Sequence, residues 1–461
     1  MPLILGTNSI KDTGYDVANS VRFNDDDSPK LSRVPSSAGN TKTGTISLWV
    51  KKTEINQNTY LYMVDDGSNQ FALRFNNDKI MAFHFNGSSY DFDLQTSALF
   101  RDVSSWYHIH LKIDTANSTA IERFKLYVNN EYIAFNTTIS QNFNGVFFNN
   151  STTHLGVDTV NTNHFDGYFA EFVVIDGTAL EPTSFGEFDS DSPNIWKPID
   201  VSGLTFGTNG FHLDFENASS LGADVSGNGN NFTVNNLTSI DQTTDTCTNN
   251  YATLNPLLDV NATPTFTEGN LVFQGTGSTN FAGATIPVSS GKWYVEVKAT
   301  TVSGSYPIIG VIDSQSYKRR DSTYFVGSDI DTNNPSGFAV FSNGDIYHNN
   351  DNNFSNLTTT YTSGDIIGMA LNMDASPNTL GFYKNGALEV TINLDTAPSG
   401  AYMFASAIHS STSSAKGEFN FGNPTFSISS GNSDGNGYGN FEYAVPSGYY
   451  SLNTKNLAEF G

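Results

Sequence analysis

The stretch Gly364 to Ile392, GDIIGMALNMDASPNTLGFYKNGALEVTI, leaves a chain few folds to choose from. Ile367, Met369, Leu371 and Met373 alternate with Gly368, Ala370 and Asn372, the two-residue period of a strand with unequal faces. A turn carrying Asp374, Pro377 and Asn378 leads into a second run, Thr379 to Tyr383. Asn385-Gly386 then supplies two residues that tolerate positive φ, so the chain can reverse tightly into Leu388 to Ile392. A three-stranded antiparallel meander is predicted.

The same grammar recurs from end to end. Thr45 to Lys51 sets Ile46, Leu48 and Val50 against Ser47, Trp49 and Lys51. Trp106 to Asp114 sets Tyr107, Ile109, Leu111 and Ile113 against Trp106, His108, His110 and Lys112. Further short strands are expected at Tyr60 to Met63, Phe71 to Phe75, Ile80 to Phe85 and Phe124 to Val128, the last ending at the hairpin signal Asn129-Asn130. Phe165 to Ile175 closes this series. In the second half, Gly291 to Ala299 directs Trp293, Val295 and Val297 inward and Tyr294, Glu296 and Lys298 outward. No stretch sustains a 3.6-residue period, and 35 Phe with 21 Tyr suit strands better than helices. At 461 residues the chain exceeds one ordinary core. An all-β protein of two antiparallel β-sandwiches joined by a short connector is expected.

A net charge of -24 disfavours nucleic acid and anionic membranes as general partners. The single cysteine, Cys247, rules out an intramolecular disulfide framework. Leu3 to Leu5 is too short for the apolar core of a secretory signal, and no span of 18 apolar residues exists, so no membrane insertion is expected.

Several runs carry family resemblances. SVRFN from Ser20, ISLWVK, WYHIHLKID, KLYVN and FDGYFAEFVVIDGTAL together resemble a laminin-G-like, concanavalin A-like jelly roll over residues 16–188, behind an amino-terminal segment 1–15. GKWYVEV, IIGVID, GFAVFSNGDIY, the meander and FNFG occur in the order found in SPRY domains, giving a SPRY-type sandwich with a carboxy-terminal tail over 259–461. Within residues 189–258, GFHLDF and DVSGNGNNF resemble the opening of a further laminin-G-like unit that is never completed, and the stretch is expected either to donate an edge strand or to form an ordered linker. This wording and domain order resemble structural proteins of tailed bacteriophages. The resemblance implies a virion protein made in the host cytoplasm, a fibre, spike or head appendage that binds other virion proteins and a host-surface glycan or receptor. It also implies a symmetric homo-oligomer, with the trimer common among viral fibres as one form. Capsid decoration, tail assembly and polysaccharide depolymerisation are the rival roles.

Two groups of residues are candidate ligand contacts. In Ser314 to Phe325, Lys318, Arg319 and Arg320 stand beside Tyr317 and Tyr324, a combination suited to an acidic saccharide through guanidinium contacts and ring stacking. The alternative is a solvated loop paired with Asp313 and Asp321. Trp106, His108 and His110 share a strand face on which an aromatic ring can stack on a sugar; the alternative is a pair of exposed or partly covered strand positions, and the two histidines, two residues apart, lack a visible third ligand for a metal. Asp25, Asp26 and Asp27 do not assemble a full calcium ligand set, and Asp329 to Asn333 departs from an EF-hand loop at Asn334 and Val340. Gly431 to Gly435 matches a nucleophile elbow but sits in a loop. No catalytic residue, metal site or cofactor is expected, and the chain is not expected to be an enzyme.

Overall fold

The computed structural model describes residues 9–258, 264–275, 279–315, 326, 329–331, 334–335, 337–349, 351–397, 399–409 and 415–461. They form two compact units. One is Thr13–Thr248; the other is Asn249–Gly461 together with the amino-terminal residues ending at Asp12.

In Thr13–Thr248, one antiparallel sheet runs in the order Glu131–Ile133, Phe124–Val128, Tyr107–Asp114, Thr43–Lys52, Gly167–Asp176, Ser20–Phe23, Gln242–Thr243. The facing sheet runs Thr233–Asn235, Lys30–Arg33, Thr152–Leu155, Asn58–Asp65, Gln70–Asn76, Lys79–Phe85, Tyr90–Gln95. Alternation sends Ile46, Leu48, Val50, Ile109, Leu111, Phe71, Leu73 and Phe75 into the core between them. Gly167–Asp176 breaks its own alternation. Glu171 sits at φ 46° and the register shifts between Ala170 and Val173, the mark of a bulge. Phe169 and Phe172 therefore both face the core. Ser20–Phe23 pairs with the first part of this strand and Phe211–Leu213 with the second.

The stretch expected to connect the two sandwiches supplies strands to the first. Trp196–Pro198 pairs with Gly186–Phe188, Thr233–Asn235 with Lys30–Arg33, and Gln242–Thr243 with Ser20–Phe23. The division falls after Thr248, and Tyr251 and Leu254 already bridge to Asn453 and Ala284 of the other unit. Residues 180–248 also lay a third layer on the outer face of the first sheet, where Trp49, Trp106, Tyr168 and Trp196 pack together and Phe185, Val201 and Phe206 cover Val173 and Ile175. Thr43–Lys52 is thereby buried on both faces from Gly44 onward.

In the second unit, the sheet order is Thr265–Thr267, Val272–Gln274, Lys416–Asn420, Lys292–Thr301, Ile366–Asn372, Thr379–Lys384, Ala387–Asn393. It faces Thr279–Gly283, Tyr402–His409, Ile308–Asp313, Gly337–Val340, Asp345–His348, Asp351–Asn356. The predicted meander is the edge of the first of these sheets, with Met369 opposite Phe382 and Phe382 opposite Val390. Asn385 and Gly386 both take positive φ in its turn, at 48° and 82°. Trp293, Val295 and Val297 are core residues as expected, but Tyr294 and Glu296 are buried as well, beneath Phe441 and the backbone of Glu442 and Tyr443. A short helix, Thr454–Phe460, ends the chain, with the Asn453 side chain accepting from the Asn456 N–H at its start.

Candidate binding site

The strand Tyr107–Asp114 and the residue before it place Trp106, His108 and His110 on one face, and that face is closed. Trp106 is 7% exposed and both histidines are fully buried, because residues 180–247 lie across them. This corrects the expectation of an open stacking surface at these three positions. The Trp106 indole donates to Asp245 Oδ1 (3.1 Å), and Lys51 Nζ donates to Asp245 Oδ2 (2.8 Å). The Trp196 indole donates to His108 Nδ1 (2.9 Å). An indole N–H can only donate, so Nδ1 accepts, and the ring proton sits on Nε2, which donates to Ser47 Oγ at 2.8 Å. Burial, with His110 beside it, holds the His108 pKa well below the ordinary histidine value. Burial likewise pushes His110 down to about 4, while its Nε2 meets the Leu180 carbonyl at 3.1 Å. Trp49 and Trp196 stack on His108 at 4.9 and 6.0 Å.

Tyr317, Lys318, Arg319, Arg320 and Tyr324 lie outside the described residues. Asp25–Asp27 forms one 3-10 turn in which Asp27 accepts from the Asn24 side chain. Asp329–Asp331 is a short strand rather than a loop. In the loop at Gly431 to Gly435, Asp434 is buried and accepts from Ser451 and Asn456. Among the described residues no cluster of three or more His, Cys, Asp or Glu side chains is arranged to hold a metal ion.

An open groove of about 450 Å³ lies in the first unit where the hairpin after Phe124–Val128 meets the segment following Gly186–Phe188. Its walls are Phe100, Tyr107, Val128, Ile133, Phe188 and Pro193; its polar groups are the amides of Asn129, Asn130 and Asn194 and the carboxylate of Glu131. Asn129 and Asn130 take φ of 50° and 66°, the two left-handed residues of a tight hairpin turn. Asn129 is pinned twice: its N–H donates to the His108 carbonyl (2.9 Å), and its Oδ1 accepts the His108 N–H (2.8 Å). The Tyr107 hydroxyl accepts from the Asp102 N–H (2.9 Å). Phe188 is 47% exposed, with its ring edge-to-face against Trp196 at 5.0 Å. Sequence reasoning noted Asn129-Asn130 only as a turn and passed over Phe188, although an aromatic beside a run of Asp, Ser, Pro and Asn was a signal for an exposed ring.

The jelly roll of the first unit defines the class. Residues 24–184 match the family model described as the concanavalin A-like lectin/glucanases superfamily. A search of curated proteins gave no match. Among solved structures, the SPRY domain of human HERC1 is similar at 17% identity, covering 36% of this chain and 96% of that chain, with a TM-score of 0.29. A heptameric SAP-like pentraxin from Limulus polyphemus is similar at 14% identity over 36% and 79% of the two chains, with a TM-score of 0.27. Domain 4 of AbnA, a GH43 extracellular arabinanase from Geobacillus stearothermophilus solved with arabinotriose, is similar at 21% identity over 33% and 68%, with a TM-score of 0.26.

Proposed function

We propose that the protein is a carbohydrate-binding adhesion protein without catalytic activity, and that the groove between Asn130 and Phe188 takes an uncharged pyranose. The observation that carries this reading is the groove's composition: one exposed ring, three amides and no cation among its lining residues. A pyranose has an apolar C–H face that rests on an aromatic ring and a rim of hydroxyls that exchange hydrogen bonds with amides. Glu131, in a chain of net charge -24, opposes an acidic sugar. The family match over residues 24–184, to a superfamily that includes lectins, supports the same reading. Glycoside cleavage ordinarily takes a pair of carboxyl groups, and the groove lining contributes one.

A shallow groove of this kind binds a single sugar unit in the millimolar range, about -4 kcal/mol. Attachment then comes from many copies acting together. That requirement fits the resemblance of the strand wording to tailed-phage structural proteins, and we place the protein on a virion, as a homo-oligomeric fibre, spike or head appendage that contacts host-surface glycan and other virion proteins. Antibody-labelled electron microscopy of particles tests the placement, and unlabelled particles would remove it. A neutral-glycan array tests the site. Asn130→Ala and Phe188→Ala are each expected to weaken binding about tenfold, roughly 1.4 kcal/mol. Unchanged binding in both, or lasting shortening of the polymer on incubation, overturns the reading.

A further inference from the structure

The second sheet of the first unit has an outer face of a different character. On Gln70–Asn76, Phe71, Leu73 and Phe75 enter the core, so alternation leaves Arg74 on the opposite side, in register with Met81 and, through it, with Gln95. Tyr60, Met63, Ala72, Met81 and Phe83 form a hydrophobic cluster there, with Phe85 at its border. The Arg74 guanidinium lies over the rings of Tyr60 and Phe83, at 5.1 and 5.4 Å. Its Nε and Nη2 both approach Met81 Sδ at 3.3 Å, and Nη1 donates to the Tyr60 hydroxyl at 2.9 Å. These contacts use three of the five N–H groups of a guanidinium and leave one on each terminal nitrogen without a partner among the described residues. Two such N–H groups match the two oxygens of a carboxylate.

Arg22 and Arg101 are paired with Asp241 and Asp78, whereas Arg74 reaches no carboxylate of the described residues within ion-pair distance. The rings on either side hold its side chain in place, so little rotamer freedom remains to be lost on binding. Tyr90, 53% exposed, stands edge-on to Phe83 and Phe85, each at 5.4 Å, and so borders the same ring that Arg74 covers. The acids nearest in register and in the surrounding loop are occupied: Asp93 accepts from Gln95 Nε2 at 3.0 and 3.1 Å, and Asp158 from Thr162 and Asn163. Their charges remain, but at physiological salt the Debye length is about 8 Å, so direct contact with Arg74 outweighs the repulsion of more distant carboxylates.

We propose that this face is a second saccharide site, for a hexuronate or other carboxylated pyranose, whose carboxylate takes the two free N–H groups of Arg74 while its C–H face rests on Tyr90. An acidic peptide offers the carboxylate but no flat ring for Tyr90, which is why a sugar is the assigned ligand. Affinity electrophoresis of the full chain at physiological salt tests the site, with gels containing polygalacturonate, the same polymer after carboxyl reduction, or polyglutamate. The protein is expected to be retarded by polygalacturonate alone. Arg74→Gln is expected to weaken that retardation at least about tenfold, and Arg74→Lys to weaken it too, because an ammonium is a point charge rather than a fork. Tyr90→Ala is expected to weaken it while a cooperative thermal unfolding transition is retained, and Asn130→Ala in the other groove leaves it intact. Retardation of Arg74→Gln or Tyr90→Ala equal to that of the parent overturns the assignment, as does equal retardation by the reduced polymer or by polyglutamate.

Discussion

Replacing Asp245 by Ala tests whether the third layer is integral to the first sandwich. Asp245 and Lys51 are both fully buried, with Lys51 Nζ 2.8 Å from Oδ2, and Asp245 is contributed by the segment wrapped over the sheet. Without the carboxylate, the buried ammonium loses its 2.8 Å ion-pair partner. Removing one partner of a buried pair typically costs about 3–5 kcal/mol, and the lost Trp106 bond adds about 1 kcal/mol. Urea unfolding followed by tryptophan fluorescence reads this unit preferentially, since Trp49, Trp106 and Trp196 lie in it and only Trp293 lies elsewhere. A loss of about 4–5 kcal/mol is expected at pH 7. Lys51→Met combined with Asp245→Ala should recover about 2–3 kcal/mol. A single-variant loss below about 1 kcal/mol would refute the pairing and the structural role of the wrap.

His212 Nε2 meets Glu171 Oε2 at 2.9 Å; burial alone would lower the His212 pKa, but the bond and charge of Glu171, with Asp214 and Asp224, raise it above 6.5. The contribution of this pair is therefore fully present below about pH 6.5 and is lost as pH rises through the folded-state value, so a urea midpoint that falls across that window should flatten in His212→Gln. In Gly386→Ala, the backbone stays at φ 82° and the new Cβ meets Tyr443 Cδ1 at 2.6 Å, so a loss of more than about 1 kcal/mol is expected in thermal or urea unfolding. Glu296→Gln turns one acceptor into a donor facing the N–H of Tyr443 or that of Glu442, both 2.9 Å from the carboxylate, and should cost about 1–3 kcal/mol, seen as faster proteolysis within residues 424–449.

Much of the fold was legible because alternation is local. Phe71, Leu73 and Phe75, or Ile109, Leu111 and Ile113, announce a core face within five residues, and Asn385-Gly386 announces the turn that reverses the meander. What alternation cannot announce is the fate of the other face. Lys51, His108 and Glu296 occupy the polar side of their strands and read as solvent-facing, yet all three are buried. Buried polar groups survive only with partners, and those partners are remote: Asp245 lies 194 residues beyond Lys51, and Glu442 lies 146 beyond Glu296. The bulge at Glu171 is hidden for a related reason, since Phe169 and Phe172 belong to one core only if the strand breaks its own period.

The groove was illegible because a domain boundary drawn at Phe188 divides it. Asn129 and Asn130 belong to a hairpin that any reading of turn residues would find, but they line a groove only with Phe188, Pro193 and Asn194 opposite, about sixty residues on. His108, first expected to touch a ligand, sits beneath it instead. Ser47 accepts from His108, His108 accepts from Trp196, and Trp196 presents its ring to Phe188, so the histidine orients the indole that backs the exposed phenyl ring. That relay requires His108 to keep a lone pair on Nδ1, and its burial secures one by holding the ring neutral far below the ordinary histidine range. Acidification across that range consequently leaves the indole, and the Phe188 ring it backs, where they are.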